Sequence, residues 1–548
     1  MRRFLKPLPI LLIACLLIVS AGFVKSNDLF FQIKKQLTIF SDVYKQVAIR
    51  YVDEVPPEAL MKVGINAMLD VLDPYTVFID EGEQQQMEIL SSGSYGGIGI
   101  DAGYRENQIV IIAPLDGYPA QRAGLQPGDV FLEIDGVDVS GLSPEEVQQL
   151  TIGDVGTKID LKIERPGMQQ PIMFELERER IEINNISFSE FVESDRGIAY
   201  IQLSRFGQNT GEEIRSAILD FNESKNFNGL ILDLRNNPGG LLNEALELID
   251  KFIEPGVTVL ETRGRIESVN STYTSEEPAL LEDLPVVVLM NNGSASASEV
   301  VAGAFQDLDR AVIIGEKSFG KGLVQTIEPL SYNTSLKITI SQYYTPSGRS
   351  IQSVDYSDLE SGAENGEAGN NRRKFLTKNG RPVYDGNGIE PDLTVTKANR
   401  SLLEVSLMRE NYFFFFINQY LANNGEISKD LPDNAFKLFV SYLLEEDFDF
   451  MTPVDQHLEE ISQNLEQFSQ PGSAEANVEE LKALLRDYKI LQIYESEEFI
   501  TKQLQFEWIA QTQNREERTR RMLQSDEDVL KAIELLSNTD QYQQILEP

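Results

Sequence analysis

Residues 290–299 read Met-Asn-Asn-Gly-Ser-Ala-Ser-Ala-Ser-Glu, three serines alternating with alanines directly after the apolar run at 285–290. Such a run predicts a buried strand. Val300, Val301, Ala304 and Phe305 then recur on one face of a following helix. A strand–turn–helix of this kind sets a serine at a helix N-terminus, where unpaired N–H groups and the helix dipole favour developing negative charge. A nucleophilic serine needs such donors for its tetrahedral oxyanion. Small neighbours would let a substrate backbone come close. Serine is also an ordinary N-cap, and the stretch taken alone favours capping. The proton acceptor decides between the two readings.

Histidine is a poor candidate for that acceptor. His457 is the only one, and it sits in an acidic helical stretch at 454–460 that reads as solvent-facing. Neither a Ser-His-Asp triad nor a histidine zinc site is expected. Cys15 is the only cysteine and lies in the N-terminal apolar stretch, so thiol catalysis and thiolate metal sites are excluded from the body of the chain. No metal and no organic cofactor is called for. Residues 317–325, Lys-Ser-Phe-Gly-Lys-Gly-Leu-Val-Gln, supply a lysine instead. Lys321 lies between two glycines, shortly after a predicted strand at 311–315 and beside Phe319, Leu323 and Val324. Desolvation there would lower its pKa toward neutrality and leave a free amine able to serve as the base. If the segment is extended, Lys321, Leu323 and Gln325 share a face, and Gln325 is placed to orient the amine. The plain alternative is a solvated Gly-Lys-Gly turn.

The elements that must position these residues follow from pattern. With 548 residues, three or four domains are expected. The net charge of −39 argues against nucleic acid as a partner. Arg2, Arg3 and Lys6 precede an apolar stretch at 7–24, so residues 1–25 read as a signal peptide cut after Ala21 or as a membrane anchor. Export to a bacterial periplasm or cell envelope is the corresponding expectation. Residues 28–90 show helical spacing, broken by Asp73-Pro74-Tyr75-Thr76. From 196 to 350 strands alternate with helices, which predicts parallel βαβ units buried on both sheet faces. Residues 354–385 are polar and glycine-rich and read as a flexible insertion. From 401 to 548 the chain is acidic and helical, with Phe413 to Phe416 read first as core or interface. The helical ends make a homodimer a further expectation.

Between 92 and 180 the pattern changes. Gly97-Ile98-Gly99-Ile100 is followed by Ala123-Gly124-Leu125-Gln126-Pro127-Gly128-Asp129 and by an apolar strand ending in Ile134-Asp135-Gly136. Ser143 to Glu146 opens a helix with a capping box. This ordered set resembles a PDZ domain, and Gly97, Ile98, Gly99 and Ile100 match that family's carboxylate-binding loop. Successive N–H groups in a glycine turn can converge on one carboxylate, and the adjacent strand edge accepts an extended peptide.

The remaining motifs are L-R-N-N-P-G-G at 234–240, G-S-A-S-A-S-E at 293–299, F-G-K-G-L-V-Q at 319–325, Y-T-P-S-G-R at 344–349, G-I-E-P-D at 388–392 and D-P-Y-T at 73–76. Together they resemble the C-terminal processing peptidases, tail-specific serine proteases with a PDZ domain set in a crotonase-like α/β core. The resemblance covers roughly residues 35–400. It implies an α/β protease core at 181–400 together with 28–90, flanked by helical N- and C-terminal regions. It implies Ser296, the middle serine, as nucleophile, Lys321 as base and Gln325 as third member. It also implies an oxyanion hole from the N–H groups of Ala297 and Gly240, with protein substrates captured by their C-termini. Two other functions compete with this reading. A catalytically silent PDZ scaffold would have no need of Ser296 and Lys321 together. A crotonase-type acyl-CoA enzyme would leave the N-terminal segment and the PDZ-like region without a use.

Overall fold

The computed structural model describes residues 8–83, 93–105, 108–224, 226–354, 356, 372–395, 400–424, 430–465 and 472–548, with backbone only for 8–28, Glu145 and Ser473. The chain divides into two compact units. The first takes in 1–84, 325–339 and 356–364, and the second takes in 85–324, 340–355 and 365–548.

In the first unit, helices Leu8–Arg50 and Pro57–Leu69 are followed by a short strand, Val77–Ile79. The strand pairs antiparallel with Ser335 to Lys337, so the region read as helical to residue 90 turns to strand at 77. The turn has a local cause. Asp73 Oδ1 accepts the N–H groups of Tyr75 and Thr76, both at 2.8 Å, and Oδ2 accepts the Thr76 hydroxyl at 2.9 Å. An Asx turn of this kind competes directly with helix continuation. Among the described residues, no helix is long and apolar enough to cross a membrane. The signal or anchor read at 1–25 lies outside the residues whose side chains are described.

The second unit holds the PDZ-like region and the α/β core. The first is a sheet of strands Ile100–Arg105, Gln108–Pro114, Val130–Ile134, Lys158–Glu164 and Ile172–Glu177 in that order. Ile98, Ile111, Phe131, Ile134, Val147, Ile159 and Leu161 form its core. Strands Ser94–Gly97 and Glu179–Glu182 pair antiparallel at its two chain ends. Helix Pro144–Thr151 starts on the expected capping box, with Glu146 N–H donating to Ser143 Oγ and Ser143 N–H to Glu146 Oε2.

The α/β core is built on a five-stranded sheet, Ile186–Glu193, Ile198–Leu203, Gly229–Asp233, Val286–Met290 and Val312–Gly315. The first pair is antiparallel and the other pairs are parallel. Every residue of Gly229–Asp233 and Val286–Met290 is buried, and the two-residue period sorts them. Leu230, Leu232, Val286, Val288 and Met290 face helices Thr210–Glu223, Leu242–Asp250 and Ala297–Asp307. Ile231, Val287 and Leu289 face the opposite layer. That layer is supplied by the end of the chain, with Val529, Ala532, Leu535, Leu536, Tyr542 and Leu546 on helices Glu527–Leu536 and Thr539–Leu546. The Tyr542 hydroxyl accepts the Val286 N–H at 3.1 Å and donates to the Val286 carbonyl at 2.9 Å. The last helices therefore cover one face of the α/β core, whereas the sequence reading kept 401–548 apart as a helical region.

The remaining helices of 401–548 have their own core, in which Phe413, Phe416, Phe439, Leu443 and Trp508 pack together. Phe413 and Phe439 stack with centroids 5.0 Å apart, so the phenylalanine run is core. The segment read as a flexible insertion is corrected in part. Residues 372–385 form a β-hairpin, Lys374–Leu376 with Pro382–Tyr384. The buried Arg381 pins it to Asp309 at 2.7 Å and Asp392 at 2.6 Å. Residues 355 and 357–371 lie outside the described residues.

Candidate active site

The three serines of the 293–299 motif have different partners. Ser294 Oγ donates to the Leu234 carbonyl at 2.8 Å, and Ser298 Oγ donates to the Asn237 carbonyl at 2.9 Å. Both hydroxyls fasten the turn to the 234–240 loop at the ends of two parallel strands, where open α/β sheets bind ligands. The middle serine, Ser296, is buried too, at 8% exposure, and makes neither of these bonds. Ser296 precedes helix Ala297–Asp307 with φ 56° and ψ −115°, far from the extended backbone of an N-cap. A non-glycine residue held there costs of order 1–3 kcal/mol, and its surroundings must over-determine it.

Asn237 does part of that. It is fully buried, and its Nδ2 donates to the Leu203 carbonyl at 2.8 Å. Its own carbonyl accepts the Ala295 N–H at 3.1 Å as well as the Ser298 hydroxyl. Its Oδ1 takes the Gly239 N–H at 2.9 Å. Gly239, with φ 99°, lies so close that a Cβ would stand 2.8 Å from Ser296 Cβ and 2.9 Å from the Ala297 nitrogen. Gly240 forms a parallel bridge with Phe206, in which Phe206 N–H donates to Gly239 O and Leu241 N–H to Phe206 O. In that pattern the Gly240 N–H faces away from Phe206. Ala297 is the first residue of its helix, where N–H groups lack intrahelical partners. The two predicted oxyanion donors thus come from the two segments that meet at Gly239 and Ser296.

Glu299 is a residue that reading the sequence missed. It is 0% exposed. Its Oε1 accepts Ser318 Oγ at 2.5 Å and Gly320 N–H at 2.7 Å. Its Oε2 accepts both Ser296 N–H at 2.9 Å and Lys321 N–H at 2.8 Å. One carboxylate oxygen therefore ties together the backbones of the predicted nucleophile and base. Burial pushes the Glu299 carboxyl above the usual range, opposed by these four donors. The only hint in the sequence is a glutamate three residues after a serine at a helix start, which reads as half of a capping box.

The loop carrying Lys321 is held from its other side as well. Phe319 N–H donates to Ser294 O at 3.0 Å, and Ile389 N–H donates to Ser318 Oγ at 2.7 Å. Lys321 is half-buried, whereas Lys317 at the start of the motif is bound at the surface to Asn387. Gln325 belongs to the first unit, where its Nε2 donates to Thr339 Oγ1 at 3.2 Å. His457 is 75% exposed beside Glu460 and stays outside this constellation.

In the PDZ-like region, Ile98, Gly99 and Ile100 line a groove of about 210 Å³ together with Ile109, Val147 and Thr151. Gly99 has φ 74°, and a Cβ on it would stand 2.4 Å from Tyr118 Cβ. Gly97 carries the Tyr95 ring against its Cα. The predicted carboxylate loop therefore borders one end of a groove between a strand edge and a helix.

Residues 197–357 match peptidase family S41, residues 110–165 match a PDZ domain, and residues 403–536 match the probable PDZ-protease C-terminal helical domain. The chain is 37% identical over 348 residues to a carboxy-terminal-processing protease of Bartonella bacilliformis, covering 63% of this chain and 79% of that one. It is 32% identical over 321 residues to the carboxy-terminal processing protease CtpB of Bacillus subtilis, covering 58% and 66%. Among solved structures it is similar to the photosystem II D1 C-terminal processing protease, at 24% identity and a TM-score of 0.36, covering 65% and 92%.

Proposed function

The chain belongs to the carboxy-terminal processing proteases of peptidase family S41 and is a serine-type peptidase; from that premise we propose that it is an endopeptidase with a Ser296–Lys321 dyad that takes its protein substrates by their C-termini. The Lys321 amine accepts the Ser296 proton as Oγ attacks the scissile carbonyl. The N–H groups of Ala297 and Gly240 receive the oxyanion, and Gln325 orients the amine. The acyl-enzyme is then hydrolysed. The amides of Ile98, Gly99 and Ile100, following Gly97, hold the substrate carboxylate while its last side chains fill the groove. Residues 1–25 direct export to the cell envelope, a point that fractionation and N-terminal sequencing of the native protein decide.

The observation that carries this reading is the shared oxygen of Glu299, which binds the N–H of Ser296 at 2.9 Å and that of Lys321 at 2.8 Å. The test is turnover of an unstructured protein, with a free or an amidated C-terminus, by wild type, Ser296→Ala and Lys321→Ala. Both variants should keep the wild-type melting temperature and lose at least about 10³-fold in kcat. Amidation should raise KM for the wild type. Cleavage by Ser296→Ala at the wild-type rate refutes the dyad and leaves the silent-scaffold reading. Indifference to amidation refutes carboxylate capture alone.

A further inference from the structure

The turn at Asp73-Pro74-Tyr75-Thr76 does more than end a helix. Pro74 disfavours helical backbone at Asp73. The Asp73 carboxylate then closes the turn on the Tyr75 and Thr76 N–H groups and the Thr76 hydroxyl. Asp73 and Thr76 are both buried, at 9% and 3% exposure. The strand that follows pairs with the first residues of strand Ser335–Tyr344, and its pairing begins at Val77, opposite Lys337. Two residues past Lys337, where this ladder has ended, the Thr339 N–H donates to Thr76 Oγ1 at 3.2 Å. The Thr339 hydroxyl in turn accepts Gln325 Nε2 at 3.2 Å. All these residues belong to the first unit. A line of hydrogen bonds therefore runs from the Asp73 carboxylate, through the Thr76 hydroxyl and Thr339, to the Gln325 amide.

We propose that Thr339 is a positioning residue for the reaction: its hydroxyl holds the Gln325 amide by the NH₂ end, so that the amide oxygen is the end offered to the base, with Thr76 and Asp73 as its footing. The inference rests on Gln325 orienting the Lys321 amine. A neutral amine has N–H donors and a single lone pair, and the lone pair must stay clear to take the serine proton. An amide oxygen accepts an amine N–H and leaves the lone pair clear, whereas an amide NH₂ would donate to it and occupy it. The NH₂ of Gln325 lies on Thr339 Oγ1, so the oxygen forms the other arm of the fork. With a hydroxyl at 339 this orientation has an acceptor for the NH₂ group. With an apolar side chain there it has none, and the amide gains by turning. Thr76 acts one step further back, because its hydroxyl, itself bonded to Asp73 Oδ2, sets where the Thr339 backbone stands. The competing explanation is that these bonds only stitch a turn to a strand.

A double-mutant cycle separates the two. The measurements are kcat and KM on an unstructured protein with a free C-terminus, the rate at which a fluorophosphonate probe labels Ser296, and the melting temperature. The variants are Thr339→Val, Thr339→Ser, Gln325→Ala, and Thr339→Val combined with Gln325→Ala. Thr339→Val should lower kcat and labelling together by about 10-fold or more, with KM within about twofold. Thr339→Ser keeps the hydroxyl and should stay within about threefold of wild type. In the Gln325→Ala background, Thr339→Val should change the rate by less than about twofold, because the amide it held is gone. Wild-type kcat and labelling in Thr339→Val, beside an impaired Gln325→Ala, overturn the proposal and leave Gln325 standing. Equal losses from Thr339→Val with and without Gln325 reveal a stitch and overturn it as well. Wild-type rates in Gln325→Ala overturn the underlying reading and the proposal with it. If Thr339→Val does not fold, Thr339→Ala replaces it under the same expectations. Thr76→Val should repeat the loss in kcat and Thr76→Ser should not. A Thr76→Val that lowers only the melting temperature overturns the part assigned to the turn.

Discussion

Glu299→Gln tests the idea that one carboxylate sets nucleophile and base in register. The wild-type carboxylate accepts four donors, two on each oxygen, at 2.5–2.9 Å. Glutamine offers one carbonyl oxygen and one NH₂, so one pair of donors must face an NH₂ group. The better orientation directs NH₂ at Ser318 and Gly320, because a serine hydroxyl can reverse and accept. The Gly320 N–H has no such freedom. It loses a bond to a charged acceptor, worth about 1.5–3 kcal/mol, and stays buried and unpaired at about 1–3 kcal/mol more. A loss of roughly 3–5 kcal/mol is expected, which a domain with 5–15 kcal/mol of stability survives. Gly320 adjoins Lys321, and a displacement of about 1 Å in the base costs on the order of 10²-fold in rate. Urea unfolding reads the first quantity, and kcat with fluorophosphonate labelling reads the second. Adding Ser318→Ala removes the one group able to accept from the new amide, so the double variant should lose more stability than the two single losses added. A single variant within about 1 kcal/mol and threefold in kcat of wild type would refute the strut.

The same carboxylate predicts opposed pH trends. Because burial raises its pKa in the folded state, the native protein holds this proton at pH values where the unfolded chain has released it. Stability contributed by this group therefore falls as pH rises from the ordinary glutamate range through the raised value. Labelling of Ser296 rises over the same window, since protonation removes an acceptor that the backbone of Ser296 or Lys321 needs. Parallel trends in unfolding midpoint and labelling, or trends that persist in Glu299→Gln, contradict this. Gly239→Ala should abolish activity by 10²-fold or more, as its Cβ would fall 2.7 Å from Ala295 O at φ 99°; normal turnover would show the loop contact to be slack. Tyr542→Phe should cost about 2–4 kcal/mol in urea unfolding with kcat within twofold, because it removes the hydroxyl's bonds to both Val286 backbone groups. An unchanged midpoint would mean that the last helices do not seal the sheet. Gly99→Ala should raise KM about tenfold for a free-carboxylate peptide and leave an amidated one unaffected; equal effects on both would place the fault in folding.

Strand Val286–Met290 and helix Ala297–Asp307 were legible because an apolar run and a helical stripe are local properties of the chain. The capping box at Ser143 was legible for the same reason. Choosing among Ser294, Ser296 and Ser298 was not, because what separates them is the carbonyls of Leu234 and Asn237, about 60 residues away. Family resemblance singled out the middle serine where residue spacing left three. Glu299 looked like a cap because its other partners, Ser318 to Lys321, come from a loop that no local pattern connects to it. Composition misled over part of 354–385, where polar and glycine-rich character suggested a flexible insertion, yet at 372–385 Arg381 is buried by meeting Asp309 and Asp392. The amphipathic period of Glu527–Leu536 gives a helix with a buried face, but it does not name the sheet that buries it.

The choice between cap and nucleophile turns on how the helix start is satisfied. A capping serine adopts extended backbone and turns its hydroxyl back onto the N–H of the second or third helical residue. Here those two donors are already used by carbonyls. Ser298 N–H goes to Ala295 O at 3.1 Å, and Glu299 N–H goes to Ser296 O at 2.8 Å. The backbone at Ser296 is twisted to φ 56° to make this possible, and Asn237, Gly239 and Glu299 hold the twist from three directions. The second and third N–H groups of the helix are thus met by main-chain carbonyls, at the cost of local strain at Ser296. A serine needed only as a cap would sit unstrained with its oxygen occupied. The strained backbone at Ser296 is the kind of conformation the proposed nucleophile role would need.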